Sequence, residues 1–193
     1  MDAKTLFYTA LKDASIPMGR LTADGYMRPT PDTEWDARTL ANHMLYELSW
    51  VPDIVAGNTI EEVGSKYDGD LISTDPSGNW QKAAARARQA VEQCPLDGTS
   101  HLSFGDVDNA EYLRQVGGDL LIHGWDLAST LGMEYRMDPE VARAVYDSMA
   151  TTRKSWQDSG LFGTEISVPD DADIQTKLLA LTGRGASWRP QLT

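Results

Sequence analysis

Only three histidines occur in the 193-residue sequence, so each can be weighed for chemistry on its own. His123 follows Asp119 by four residues, a spacing that puts both side chains on one side of a helix, one turn apart. An acid and an imidazole so placed can point at one ion, for the same geometric reason that two histidines at this spacing hold zinc in metalloenzymes. His43 falls on the apolar stripe of an earlier helical stretch, among Leu40, Met44, Leu48 and Val51. An ionised carboxylate and two imidazoles in an apolar interior are unfavourable unless something pairs with them. A divalent cation satisfies all three at once. Two histidines and one carboxylate also leave coordination positions open to water or substrate.

The same residues fit a plainer account. Asp119 and His123 could form an i, i+4 ion pair on a helix surface, and His43 could be a hydrogen-bonded core histidine. Glu47, one turn after His43 on the inward stripe, is a further ligand, an acid/base group or a solvated charge, and it is the candidate catalytic residue. His101 sits in an extended piece beside Leu102 and reads as structural or as support for a ligand. Cys94, the only cysteine, precedes Pro95 at the end of a helical stripe. It reads as a small buried hydrophobe, and no disulfide can form within the chain.

Helices must carry these side chains. Asp2 caps a first helix with Leu6, Phe7, Ala10 and Leu11 at helical spacing, running to Pro17 and a loop up to Pro31. A second helix starts near Thr33–Asp36, where the two residues resemble a capping box, and stops or kinks at Pro52. A long connection from Asn58 to Thr74 comes next. Asp75-Pro76 opens a third helix with the stripe Trp80, Ala83, Ala84, Ala87, Ala90 and Val91, whose alanines let a neighbour approach closely. His101 to Asp106 reads as an extended piece with a turn at Gly105.

A fourth helix runs from about Asn109 to Leu131, with Gly132 as its stop. Leu113, Val116, Leu120, His123 and Leu127 face inward, with Asp119 at the edge of that face. Gly117 and Gly118 each cost ~1 kcal/mol against Ala inside a helix. They signal either the close approach of a neighbouring helix or ligand, or a late-starting helix. Asp138-Pro139 opens a fifth helix with Val141, Val145 and Met149, and a short sixth spans roughly Asp173 to Thr182, ahead of Gly183. With no alternating strand pattern, the expected class is all-α: a four-helix bundle with additional C-terminal helices.

Hydrophobic residues make up 41% and charged residues 24%, a composition and length that suit one metal-binding helical-bundle domain over residues 1–193. No basic-then-apolar leader is present, and no apolar run approaches the ~20 residues that span a bilayer, so the expected location is the cytoplasm. The net charge of −12 argues against nucleic acid and against anionic membrane surfaces as partners. A small-molecule ligand is compatible with that charge, and so is a homodimer through an exposed helix face.

Four stretches together resemble a bacterial family: Thr33-Glu-Trp-Asp36, Leu40-Ala-Asn-His43, His101-Leu-Ser-Phe-Gly-Asp106 and Asp119-Leu-Leu-Ile-His123-Gly-Trp-Asp-Leu-Ala128. The family is DinB/YfiT-like and related to the metal-binding N-terminal domain of mycothiol-dependent maleylpyruvate isomerase. The similarity covers nearly the whole chain, and the stretch around His123 is its most specific part. It implies a four-helix bundle with a metal, usually zinc, held near one end by a His on the second helix and an acid and a His on the fourth. Those roles fall on His43, Asp119 and His123. Two departures stand out. The isomerase pattern has Glu where this chain has Asp119, a shorter arm. The isomerase also carries a C-terminal domain, which the short stretch after the fourth helix here does not match in length.

Three classes of function are compatible with these residues. The first is a metal-dependent S-transferase or isomerase that uses a low-molecular-weight thiol such as mycothiol on a small electrophile, with zinc, or alternatively nickel or iron, as cofactor. The second is a hydrolase with metal-activated water, for which Glu47 or Asp126 would be the base; an iron oxygenase ranks below it. The third is a non-catalytic binding or stress protein stabilised by its metal.

Overall fold

The computed structural model describes residues 1–151 and 163–190. Helix α1 spans Ala3–Met18, and the Asp2 carboxylate accepts a hydrogen bond from the Thr5 amide at 3.0 Å, as expected of an N-cap. Helix α2 spans Ala37–Val55, and its cap departs from the sequence expectation. Asp36 itself is the N-cap, accepting from the Thr39 amide at 2.8 Å, and the exposed Thr33 takes no part. The buried Thr30 explains the difference. Its hydroxyl bridges the carbonyls of Asp32 at 2.7 Å and Trp35 at 2.9 Å, so the loop stays closed until Asp36. Nor does Pro52 end α2. The buried Val51, Ile54 and Val55 anchor its last turn and outweigh the missing proline donor.

The connection after α2 contains a one-turn helix, α3 (Ile60–Val63), closed by a capping box between Thr59 and Glu62. Four residues are too few to show a period, and the Thr59-x-x-Glu62 spacing is the one available signal. Helix α4 (Pro76–Gln93) starts as expected at Asp75-Pro76 and buries Trp80, Ala84, Ala87 and Val91. A two-stranded antiparallel hairpin comes next, β1 (Thr99–Leu102) and β2 (Gly105–Asp108), pairing His101 with Asp106 and Leu102 with Gly105. The turn therefore lies at Ser103-Phe104, and Gly105 (φ 131°) opens the return strand. Helix α5 (Asn109–Thr130) is capped by Asp108, which accepts from the Glu111 amide at 2.7 Å. Helices α6 (Pro139–Thr151) and α7 (Ile174–Leu181) follow, and a single 3-10 turn, Ala23–Gly25, lies between α1 and α2.

The class is all-α, with the hairpin as a minor addition. α1 packs along α5, α5 against α2, α2 along α4, and α4 back against α1, so the four helices close a ring around one core. α6 and α7 pair with one another, and α6 touches α1 and α5. Close approach of a helix is what the glycines of α5 provide. A Cβ on Gly117 would run into Leu6, and one on Gly124 would stand 3.2 Å from the Ala14 backbone, both on α1. The helix starts well before them, at Asn109, so the late-start account of Gly117 and Gly118 falls away. Among the described residues no helix is long and apolar enough to cross a membrane.

Candidate metal centre

α2 and α5 pack as neighbours in the ring and bring together the residues the spacing selects. His43 lies on α2 beside Asn42, whose side chain accepts from the amides of Leu71 (2.7 Å) and Ile72 (3.3 Å) and donates to the Gly69 carbonyl (3.0 Å). Asn42 thus ties the long connection to α2 next to the site. On α5, Asp119 and His123 stand one turn apart. One donor atom from each of His43, Asp119 and His123 lies within 4.8 Å of the other two.

Both imidazoles turn Nε2 toward the same oxygen. Asp119 Oδ1 is 3.5 Å from His43 Nε2 and 3.4 Å from His123 Nε2. The other oxygen, Oδ2, is buried and has no hydrogen-bond partner among the described residues. A buried carboxylate oxygen left unpaired is costly, and one that shares a cluster with two imidazole nitrogens is what a cation would satisfy. The donor set fits a divalent ion that accepts nitrogen and oxygen. The side chains of His43 and Asp119 are each 26% exposed and that of His123 only 7%, so the cluster is open toward solvent on the His43–Asp119 side. The Trp35 ring closes another side, with its centroid 4.7 Å from His43 and 5.6 Å from His123.

Behind His123 stands Asp126. Its carboxylate is fully buried and lies 3.0 Å from His123 Nδ1. In the neutral ring that contact favours the proton on Nδ1 and leaves the Nε2 lone pair facing the cluster. Burial works against a charged His123, but the neighbouring Asp119 charge, with hydrogen bonds to Asp119 and Asp126, prevails and lifts it to about 10. Burial likewise disfavours the Asp119 anion, yet the His123 charge and the hydrogen bonds from both histidines drive its carboxyl well below the usual range. Without a cation the cluster is therefore an ion pair, as the plainer account has it.

Glu47 sits close enough to share this electrostatics. Burial first, and then the Asp119 charge, raise its carboxyl above the ordinary value. Tyr112, two turns before Asp119 on α5, is buried, and burial followed by the Glu47 and Asp119 charges keeps its phenol neutral far above the ordinary range. Sequence reasoning missed Tyr112, although its seven-residue spacing to Asp119 put it on the same face.

The other candidates lie elsewhere. His101 pairs with Asp106 across the hairpin at 2.8 Å and is not among the converging groups. Cys94 is buried at the end of α4, its thiol 3.4 Å from the Val91 carbonyl, as its sequence context suggests. Asp126 does not suit the role of base for a metal-activated water, because its carboxylate faces His123 Nδ1 and Arg184 rather than the open side.

Residues 17–128 match the family described as the mycothiol maleylpyruvate isomerase N-terminal domain. The chain belongs to this family. It is a metal-binding domain type associated with mycothiol-dependent enzymes, and the matched stretch contains His43, Glu47, Asp119, His123 and Asp126. Two uncharacterized proteins of Mycobacterium tuberculosis, Rv0738 of strain H37Rv and MT0763 of strain CDC 1551, are each 29% identical over 131 residues. The alignment covers 65% of this chain and 65% of the length of each relative. No solved structure matches.

Proposed function

We propose that the chain is one helical-bundle domain that holds a single divalent cation, zinc in the first instance, through His43 Nε2, Asp119 and His123 Nε2. We propose further that it uses the open side of this centre for thiol chemistry, as an S-transferase or isomerase that joins a low-molecular-weight thiol of the mycothiol type to a small electrophile. The observation that carries the proposal is the convergence of three donor groups around Asp119, with its buried Oδ2 left unpaired. The family's association with mycothiol-dependent enzymes supports the choice of thiol.

A bound divalent cation would supply Lewis acidity, which favours the ionised, nucleophilic form of a thiol near neutral pH. The chain's own residues supply the rest. Asp126 holds the His123 ring in the tautomer that offers Nε2. Trp35 covers the two imidazoles and excludes water from that side. Glu47, its carboxyl raised by burial, can hold a proton near the site and pass it to a substrate atom, while Tyr112 stays a neutral hydroxyl beside it.

A purely structural cation would sit in a closed sphere, and the exposure of His43 and Asp119 favours an open one. A hydrolase would have to rely on Glu47 alone. The test is metal content by mass spectrometry on the purified protein and its His43→Ala and His123→Ala variants, followed by transfer assays with thiols and a model electrophile. One equivalent of metal lost in both variants, with thiol-dependent turnover in the parent, is the expected result. Parent protein that refuses added zinc sinks the site; a loaded protein inert with every thiol sinks the chemistry and leaves a metal-stabilised binding protein.

A further inference from the structure

The family match ends at residue 128, yet a side chain from the C-terminal region reaches the back of the candidate centre. Arg184, 5% exposed, brings Nη2 to 3.1 Å and Nε to 3.4 Å from Asp126 Oδ2, and Nε to 3.4 Å from Oδ1. Its Nη1 donates to the Thr182 carbonyl at 2.8 Å. Its Nη2 also stands 3.5 Å from Asp32 Oδ2, in the loop that leads to Trp35.

Local sequence explains why Arg184 is there. α7 ends at Leu181, and Gly183 comes soon after with φ 80°, a left-handed conformation that suits glycine. The Gly183 amide donates to the Ala180 carbonyl at 3.1 Å and the Arg184 amide to Leu179 at 2.8 Å. These two bonds form a Schellman closure, which turns the chain back and fixes the arginine immediately after the glycine. A Cβ at Gly183 would stand 2.8 Å from the Gly163 backbone, so the turn is held from outside as well.

We propose that Arg184 is a positioning residue for the cation centre: it holds the Asp126 carboxylate in place, and through Asp126 it holds His123 with Nε2 aimed at the metal. The physical case is direct. Asp126 has no exposed surface, and a buried carboxylate that loses its guanidinium partner swings toward another donor. That change loosens its hold on His123 Nδ1. The planar guanidinium meets both carboxylate oxygens, which a lysine cannot reproduce. Among the described residues Arg184 meets Asp126, beside His123, and on the other wall Asp32, in the loop toward Trp35.

The proposal rests on the cation site proposed above, and the test keeps the two apart. Cobalt(II) is titrated into the parent and into Arg184→Met, Arg184→Lys, Asp126→Asn and the Arg184→Met/Asp126→Asn double variant, with the visible cobalt spectrum recorded and far-ultraviolet dichroism as a check on folding. The parent is expected to bind one equivalent. Arg184→Met weakens binding by about ten- to hundredfold, the range for loss of an outer partner of a metal-bound histidine, and shifts the cobalt bands. Arg184→Lys falls between the two. The double variant loses clearly less than the two single losses combined, because both changes remove the shared Arg184–Asp126 contact. A folded Arg184→Met with parental affinity and spectrum overturns the proposal; should that variant not fold, parental behaviour in Arg184→Lys overturns it equally. A parent that binds no cobalt removes the site itself, an outcome distinct from equal affinity in parent and variant.

Discussion

His123 Nδ1 lies 3.0 Å from the carboxylate of Asp126, three residues further along α5 and fully buried. The relationship assigns the two ring nitrogens different jobs. One is spent on a permanent internal partner, and the other is left for the cluster with Asp119 and His43. A carboxylate behind a metal-bound imidazole fixes its tautomer and raises its basicity.

Asp126→Asn tests that division of labour. The amide keeps the shape but removes the charge, leaving Arg184 buried against a neutral group. Cation affinity falls by about ten- to hundredfold. Stability falls by about 3–5 kcal/mol, the range for breaking a buried ion pair from one side. Chelator competition and urea denaturation measure the two effects separately. Unchanged affinity would mean that the His123 ring is held by packing alone.

The pH dependence of the metal-free protein is set by His123 and Asp119. His123 titrates at about 10 in the fold against an ordinary 6.5, so its stabilising charge is complete below pH 6.5 and is lost as pH rises through about 10. Asp119 is shifted the other way. Its contribution is present above its ordinary 3.8 and is lost only in strong acid. Urea midpoints of chelated parent should therefore drop between pH 6.5 and about 10 relative to His123→Gln. A cation must displace the same proton, so calorimetry in buffers of different ionisation enthalpy should show proton release on uptake. A flat difference between parent and variant would refute the ion pair.

Which parts are legible in the sequence depends on how local their causes are. Asp2, Asp75-Pro76 and Gly132 mark helix ends through interactions within a few residues, and all three are where the spacing puts them. Asp119 and His123 share a helix face, so their pairing is readable too. The cap of α2 is not, because the deciding residue, Thr30, acts through two carbonyls of a loop without a period. Asp126 can be seen at its i+3 spacing from His123. Which side of α5 is open, however, depends on Arg184, which arrives from 58 residues further along the chain. A glycine-then-arginine stop after a helix is the available signal, and it names no partner.

The glycines of α5 should differ in cost. At Gly124 a methyl group meets the Ala14 backbone at 3.2 Å and the Tyr135 hydroxyl at 2.7 Å, and a helix backbone cannot yield easily. Gly124→Ala should destabilise by about 1–3 kcal/mol through overpacking. At Gly118 the nearest atom is a methyl of Val145 at 3.3 Å, on α6, which can shift slightly. The gain of up to ~1 kcal/mol in helix propensity then offsets the crowding, so Gly118→Ala should be close to neutral. Urea denaturation of the two variants side by side decides this, and equal costs would mean that α1 does not approach α5 as closely as described.

Glu47→Gln separates stability from chemistry. Burial and the Asp119 charge raise the Glu47 carboxyl, so its ionised form opposes folding and the fold loses stability as pH rises through the raised value. A neutral isostere escapes that loss, and the variant should be more stable than the parent at neutral and alkaline pH. Its three cation-binding groups are intact, so it should still take up one equivalent of metal. If Glu47 carries a proton during thiol transfer, turnover drops by about 10²–10⁴-fold, with the corresponding limb of the pH–rate profile gone. A variant that is stabilised, loaded and fully active would remove Glu47 from the mechanism and leave Tyr112 as the remaining buried hydroxyl able to take that part; one that loses its metal would make Glu47 a ligand instead.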